Sequence, residues 1–204
     1  KTFWGMGGGT VVNAAISGID IALWDLKGKA LGLPVWQLMG GKTNDDLRTY
    51  ASQLQFNWGT KIDKQALITP DEYAEVTRVA MADGYDCIKV DPIIYSNQPD
   101  GKGPWKITGP LEYKVIKTVY DRVAAMRKAG GDELDIIVEH HSNTDTTAAI
   151  QIGQALEDLR IFYYEEPCHP LNAKSMLEVK QNVKILMVRR PTRYTRFAYT
   201  GSLD

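Results

Sequence analysis

Acids and bases gather where three short apolar runs of this chain stop: Lys89 and Asp91 in CIKVDP, Glu139, His140 and His141 in IIVEHHS, and Glu165 with Glu166 in FYYEEP. The chain has three histidines, and two of them are neighbours in the second run. Carboxylates that converge with little positive charge between them repel unless a cation joins them, and an all-oxygen donor set suits a hard divalent ion, Mg2+ or Mn2+. An imidazole nearby, with an intrinsic pKa of roughly 6.5, can move a proton near neutral pH. In a strand, positions 139 and 141 face one side and 140 the other. The plainer reading of each group, taken singly, is a solvated acid opening a loop.

These residues share a site only if the elements carrying them run side by side. From Thr10, a helix cap, to about Leu31, the residues Val12, Ile16, Ile19, Leu23 and Leu26 recur at helical steps, and Gly32 with Pro34 ends the helix. A short strand follows over Leu47–Ser52. Thr69, Pro70 and Glu72 form a capping box for a helix to Ala82, and Gly84 turns the chain into the strand that Pro92 ends. Leu111, Val115, Val119, Val123 and Met126 line one face of a long helix stopped by Gly130 and Gly131. After the strand at Asp135–Val138, residues 143–145 cap a helix carrying Ala149, Ile152, Leu156 and Leu159. IFYYEEP is a further strand, and a helix from about Asn172 to Gln181 leads into VKILM. Alternating strands and helices with similar crossovers, and no dinucleotide-binding glycine pattern after the first strand, predict α/β architecture of the TIM-barrel type, with ligands at the carboxyl ends of the strands.

Bulk properties remove several function classes. With 24 basic and 25 acidic residues among 204, the net charge is −1, which offers no footprint for nucleic acid or an anionic membrane. Cys87 and Cys168 lie far apart, with no signal peptide and no apolar run of membrane-spanning length, so a reduced, cytoplasmic protein is expected. The run GMGGGT lacks a preceding strand and the Lys-Ser/Thr of a phosphate loop, and reads as a tight turn. A zinc set from His140, His141, Cys168 and His169 lacks the usual ligand spacing.

AAISGIDIALWDLKGKALGLPVWQLMGGK, Ala14 to Lys42, closely resembles the segment joining the capping domain to the barrel in the mandelate racemase branch of the enolase superfamily. Lys89 matches the first lysine of that branch's K-x-K motif, here K-x-D. Glu139 and Glu165 match its first two metal-ligating carboxylates. A histidine two places beyond the first ligand, here His141, resembles the acid sugar dehydratases similar to galactonate dehydratase. The resemblance implies a partial barrel: residues 1–42 as the end of the capping domain and its connection, 43–187 as about five strands of the barrel, and 188–204 as an aberrant segment, without most of the cap or the last strands. It also implies Mg2+ held by Glu139 and Glu165, a sugar-acid substrate near Asp91 and His141, Lys89 supporting an enediolate, and His141 protonating the departing β-hydroxyl to give a 2-keto-3-deoxy sugar acid. Assembly into homo-oligomers is in keeping with the family.

Two departures accompany the match. The third metal ligand is expected near position 191, where the chain has Pro191 beside Arg189 and Arg190, and the histidine base is expected on a later strand. The alternatives are a racemase, epimerase or cycloisomerase sharing the same first step, and a non-catalytic remnant or interaction module for which this chain alone is inactive.

Overall fold

The computed structural model describes residues 10–59, 66–96, 98, 103–169 and 172–188. The glycine run at 5–9 and Pro191 lie outside them. Two compact units result, one holding the described residues up to 48 and the other those from 49 to 188.

The first unit contains helix α1, Thr10–Leu31, and the single turn α2, Val35–Leu38. Thr10 is the first helical residue rather than the cap. Gly28 is the position where this unit needs the absence of a side chain: a Cβ there would lie 2.8 Å from the carbonyl oxygen of Leu33. Of the apolar residues that recur at helical steps in α1, Ile16, Ile19, Leu23 and Leu26 are each more than half exposed.

The second unit is a four-stranded parallel sheet with helical crossovers: β1 (Cys87–Val90), α4 (Tyr113–Gly130), β2 (Asp135–Glu139), α5 (Thr146–Ala155), β3 (Tyr163–Glu165), α6 (Ala173–Asn182) and β4 (Met187–Val188), preceded by α3 (Pro70–Ala82). Strand order follows chain order, β1-β2-β3-β4, with no reversal of the kind that marks a doubly wound sheet. The strand expected over Leu47–Ser52 contracts to one bridge, Ala51 to Ile88, made by Ala51 N–H to the Cys87 carbonyl and Lys89 N–H to the Ala51 carbonyl. Gln53 and Asn57 take positive φ just beyond it and divert the chain into a 3-10 turn. The last strand starts at Met187, later than VKILM suggested, because Val183 to Leu186 carry the chain from α6 to the sheet.

Helix boundaries follow local chemistry. Thr69 accepts from Glu72 N–H while Glu72 reaches back to Thr69 N–H, the reciprocal capping box that opens α3. Gly131, at φ 70°, ends α4, and Asp145 caps α5 by accepting from Ala148 N–H. Val115, Val119, Val123 and Met126 of α4 form one core with Val76 and Ala80 of α3 and with Ile88, Val90, Ile136, Val138 and Tyr164 of the sheet. Alternation then sends Lys89, Glu139 and Glu165 to the opposite face of the sheet.

Candidate active site

Register brings the polar strand ends together. Glu139 pairs with Glu165 across β2 and β3, and Lys89 lies two pairs lower on the same face, opposite Ile137. The lysine's long stem lifts its ammonium between the acids: Nζ is 2.9 Å from Glu139 Oε2 and 3.2 Å from Glu165 Oε2. The second contact is an ion pair without hydrogen-bond geometry, since Glu165 Oε2 has no hydrogen-bond partner among the described residues. All three side chains are buried. Burial pulls the Lys89 pKa down, but the hydrogen bond and charge of Glu139, with Glu165 and Tyr50 behind them, outweigh it and raise the value to about 12. Burial and then the charge of Glu139 push the Glu165 carboxyl above its ordinary range, against the opposing pull of Lys89.

His141 joins this group by a different route from the one strand alternation implies. Strand β2 ends at Glu139, and His141 and Ser142 take left-handed backbone, φ 47° and 61°. That turn is tied to β3: His140 N–H donates to the Glu165 carbonyl and Ser142 N–H to that of Glu166. The ring of His141 folds back over the strand end, with Nδ1 2.7 Å from Asp91 Oδ2 and Nε2 3.5 Å from Glu139 Oε2. The hydrogen bond to Asp91 raises the His141 pKa, burial opposes it, and Glu139 adds to the rise. His140, as alternation requires, faces the helices, and burial lowers its pKa.

Asp91 stands in the same cluster, but the protein itself engages both its oxygens: Oδ1 accepts from Ile93 N–H and Ile94 N–H, and Oδ2 meets His141. Tyr50, whose ring lies 5.2 Å from Lys89 Nζ, and Tyr95, edge-on to His141 at 5.3 Å, complete the surroundings. Neither tyrosine was marked by spacing. The position of Tyr50, just before the first sheet contact, was the available signal. Among the described residues no three His, Cys, Asp or Glu side chains are placed as a metal-ligating set, so the zinc grouping of His140, His141, Cys168 and His169 is not assembled. Cys168 instead contacts Met176 Sδ at 3.2 Å, and burial pushes its thiol pKa up to about 11. No helix among the described residues is long and apolar enough to cross a membrane.

Comparison with known proteins adds a family. The Enolase C-terminal domain-like family model matches residues 72–199, and the Mandelate racemase / muconate lactonizing enzyme N-terminal domain matches residues 4–40. The chain is 36% identical to D-gluconate dehydratase of Thermoproteus tenax over 156 residues, 76% of this chain and 27% of that protein. It is 34% identical to D-gluconate/D-galactonate dehydratase of Picrophilus torridus over 170 residues, 83% of this chain and 38% of that protein. A crystal structure of a member of the enolase superfamily from Salmonella Typhimurium superposes with a TM-score of 0.89 at 49% identity, over 97% of this chain and 50% of that one. The chain thus spans half or less of the length of these relatives. With one domain model covering more than half of its residues and the partner domain matched ahead of it, the chain belongs to the enolase superfamily, in the mandelate racemase and muconate lactonizing enzyme branch.

Proposed function

We propose that this chain carries part of the active centre of a Mg2+-dependent acid sugar dehydratase. One observation carries the reading: Glu139 Oε2 is approached by both the Lys89 ammonium and His141 Nε2, with the Glu165 carboxylate on the other side of Lys89. A fixed cation, a proton carrier and two acids within one contact shell suit a carboxylate substrate that must lose an α-proton and a β-hydroxyl. The similarity to dehydratases acting on D-gluconate and D-galactonate supports an aldonic acid as the substrate class.

Glu139 and Glu165 fit a hard divalent cation by donor type, and the buried Glu165 Oε2 has no hydrogen-bond partner among the described residues. Bound there, Mg2+ supplies positive charge to the substrate's carboxylate. Lys89 adds a second positive charge against the negative charge that builds as the α-proton passes to the base, the histidine that the resemblance puts on a later strand. His141 donates from Nε2 to the β-hydroxyl, so that the carbon–oxygen bond breaks with water as the leaving group. The remaining enol becomes a 2-keto-3-deoxy acid. Asp91 in place of a second lysine means that β1 supplies no lysine base, which disfavours two-base racemisation.

The test is a panel of aldonic acids with Mg2+, assayed for 2-keto-3-deoxy product with the chain and with a form extended at both ends to the relatives' length. Product from the extended form that His141→Ala abolishes supports dehydration. Exchange of the α-proton without product assigns racemase or epimerase chemistry instead. No Mg2+ binding by calorimetry in either form removes the metal from the reading.

A further inference from the structure

Asp91 has no surface open to a ligand, its side chain being 0% exposed. Its position is fixed from three sides. Oδ1 is held by two successive backbone N–H groups, Ile93 at 3.2 Å and Ile94 at 2.9 Å, and the Asp91 N–H donates to Gln55 Oε1 at 3.1 Å. The turn that supplies those N–H groups is itself clamped. Arg122, fully buried in α4, donates to the Pro92 carbonyl and to Ser96 Oγ, and its other nitrogens reach the Ile68 carbonyl before α3. Only Oδ2 remains, and it meets His141 Nδ1 at 2.7 Å.

We propose that Asp91 is a positioning residue: it accepts the Nδ1 proton of His141, fixing the ring's orientation and tautomer so that Nε2, turned toward Glu139, is the nitrogen left to exchange a proton with a ligand. A carboxylate only accepts, so a contact this short places the hydrogen on Nδ1. A free neutral imidazole favours the proton on Nε2, the opposite arrangement, and which nitrogen carries it is decided by what the other one bonds. The backbone agrees with a ring held to a purpose. His141 keeps a left-handed φ of 47°, a conformation that is unfavourable for a residue with a side chain and persists where the surroundings over-determine it. Tyr95 packs edge-on against the imidazole, ring centroids 5.3 Å apart. Asp91 is thereby moved from the substrate's ligands to the support of the residue that serves the substrate.

What Nε2 does with its proton rests on the dehydratase reading, but the tautomer is measured without turnover. Long-range proton–nitrogen NMR of the 15N-labelled chain, at alkaline pH where the ring is neutral, should show His141 Nδ1 as the protonated nitrogen and Nε2 as the bare one. Asp91→Asn keeps the shape of the side chain and its acceptor for the Ile93 and Ile94 amides while presenting an NH2 donor to Nδ1. The expected result is inversion, with the proton moved to Nε2. Asp91→Ala should give the same shift or an averaged signal, and if that variant does not fold, Asp91→Asn decides. A wild-type His141 protonated at Nε2, or a pattern that Asp91→Asn leaves unchanged, overturns the proposal. Inversion in a protein whose extended form turns over no sugar acid leaves the positioning role standing and removes the dehydratase reading. An unchanged tautomer in a protein that dehydrates does the reverse.

Discussion

His140 and His141 are joined by one peptide bond and lie in opposite surroundings. His141 Nδ1 is 2.7 Å from Asp91 Oδ2 at the strand mouth, whereas His140 is fully buried on the helix side with its ring edge-on to Tyr164, centroids 5.3 Å apart. Neither ring nitrogen of His140 has a hydrogen-bond partner among the described residues. A buried polar group left in that condition costs about 1–3 kcal/mol. His140→Leu is therefore expected to leave stability unchanged or to raise it by about 1 kcal/mol, as read from urea unfolding. A clear loss would mean that the imidazole is bonded in solution.

Lys89 is the charge that reconciles Glu139 with Glu165. Lys89→Met leaves two buried carboxylates facing each other, and removing one partner of a buried ionic group costs about 3–5 kcal/mol. A value near the lower end is expected, because the group lies at the mouth of the sheet. The companion variant Lys89→Met/Glu165→Gln should recover part of the loss, so a double-mutant cycle between positions 89 and 165 must show coupling. Strict additivity would mean that the ion pair does not form.

At the start of α3, Thr69→Ala removes one half of the capping box and should cost about 1 kcal/mol. The other half gives a pH dependence. The Thr69 N–H bond, opposed by burial and helped by the Ile68 N–H, holds the Glu72 carboxyl below its ordinary value of 4.5. A depressed acid stabilises the fold above its unfolded pKa, and the contribution disappears as the pH falls through the lower folded value. Glu72→Gln should accordingly flatten the stability curve below about pH 5 and leave its relative slope near neutrality unchanged, in denaturant titrations run at several pH values.

Gly153 lets α5 approach the segment that follows α6. A Cβ built at this position would lie 2.8 Å from both γ-methyl groups of Val183 and 3.2 Å from the Tyr164 ring. Gly153→Ala should lower stability by about 1–3 kcal/mol despite the better helix propensity of alanine. Gly153→Ala/Val183→Ala should recover part of that loss. Thermal unfolding of the two variants makes the comparison.

Much of this arrangement is written locally. The spacing of Val115, Val119, Val123 and Met126, the box at Thr69 and Glu72, and the stop at Gly131 act within a few residues, and each lies where periodicity placed it. The face of each strand was legible for the same reason, since alternation depends only on neighbours. Pairing between distant segments was less so. Leu47–Ser52 has strand composition but keeps one bridge, because the backbone turns left-handed at Gln53. His141 was assigned to the mouth by counting two residues along a strand, and it arrives there through a turn that no side-chain pattern announces. Asp91 has the type and position of a substrate contact. Only the coordinates show that its oxygens are already taken by Ile93, Ile94 and His141.

His141, Ser142 and Glu166 all hold left-handed backbone, just beyond the ends of β2 and β3. Each would relax as glycine. A laboratory selection for thermal tolerance alone should therefore enrich glycine at these positions, yielding sturdier descendants that have lost the His141 imidazole and its pairing with Asp91.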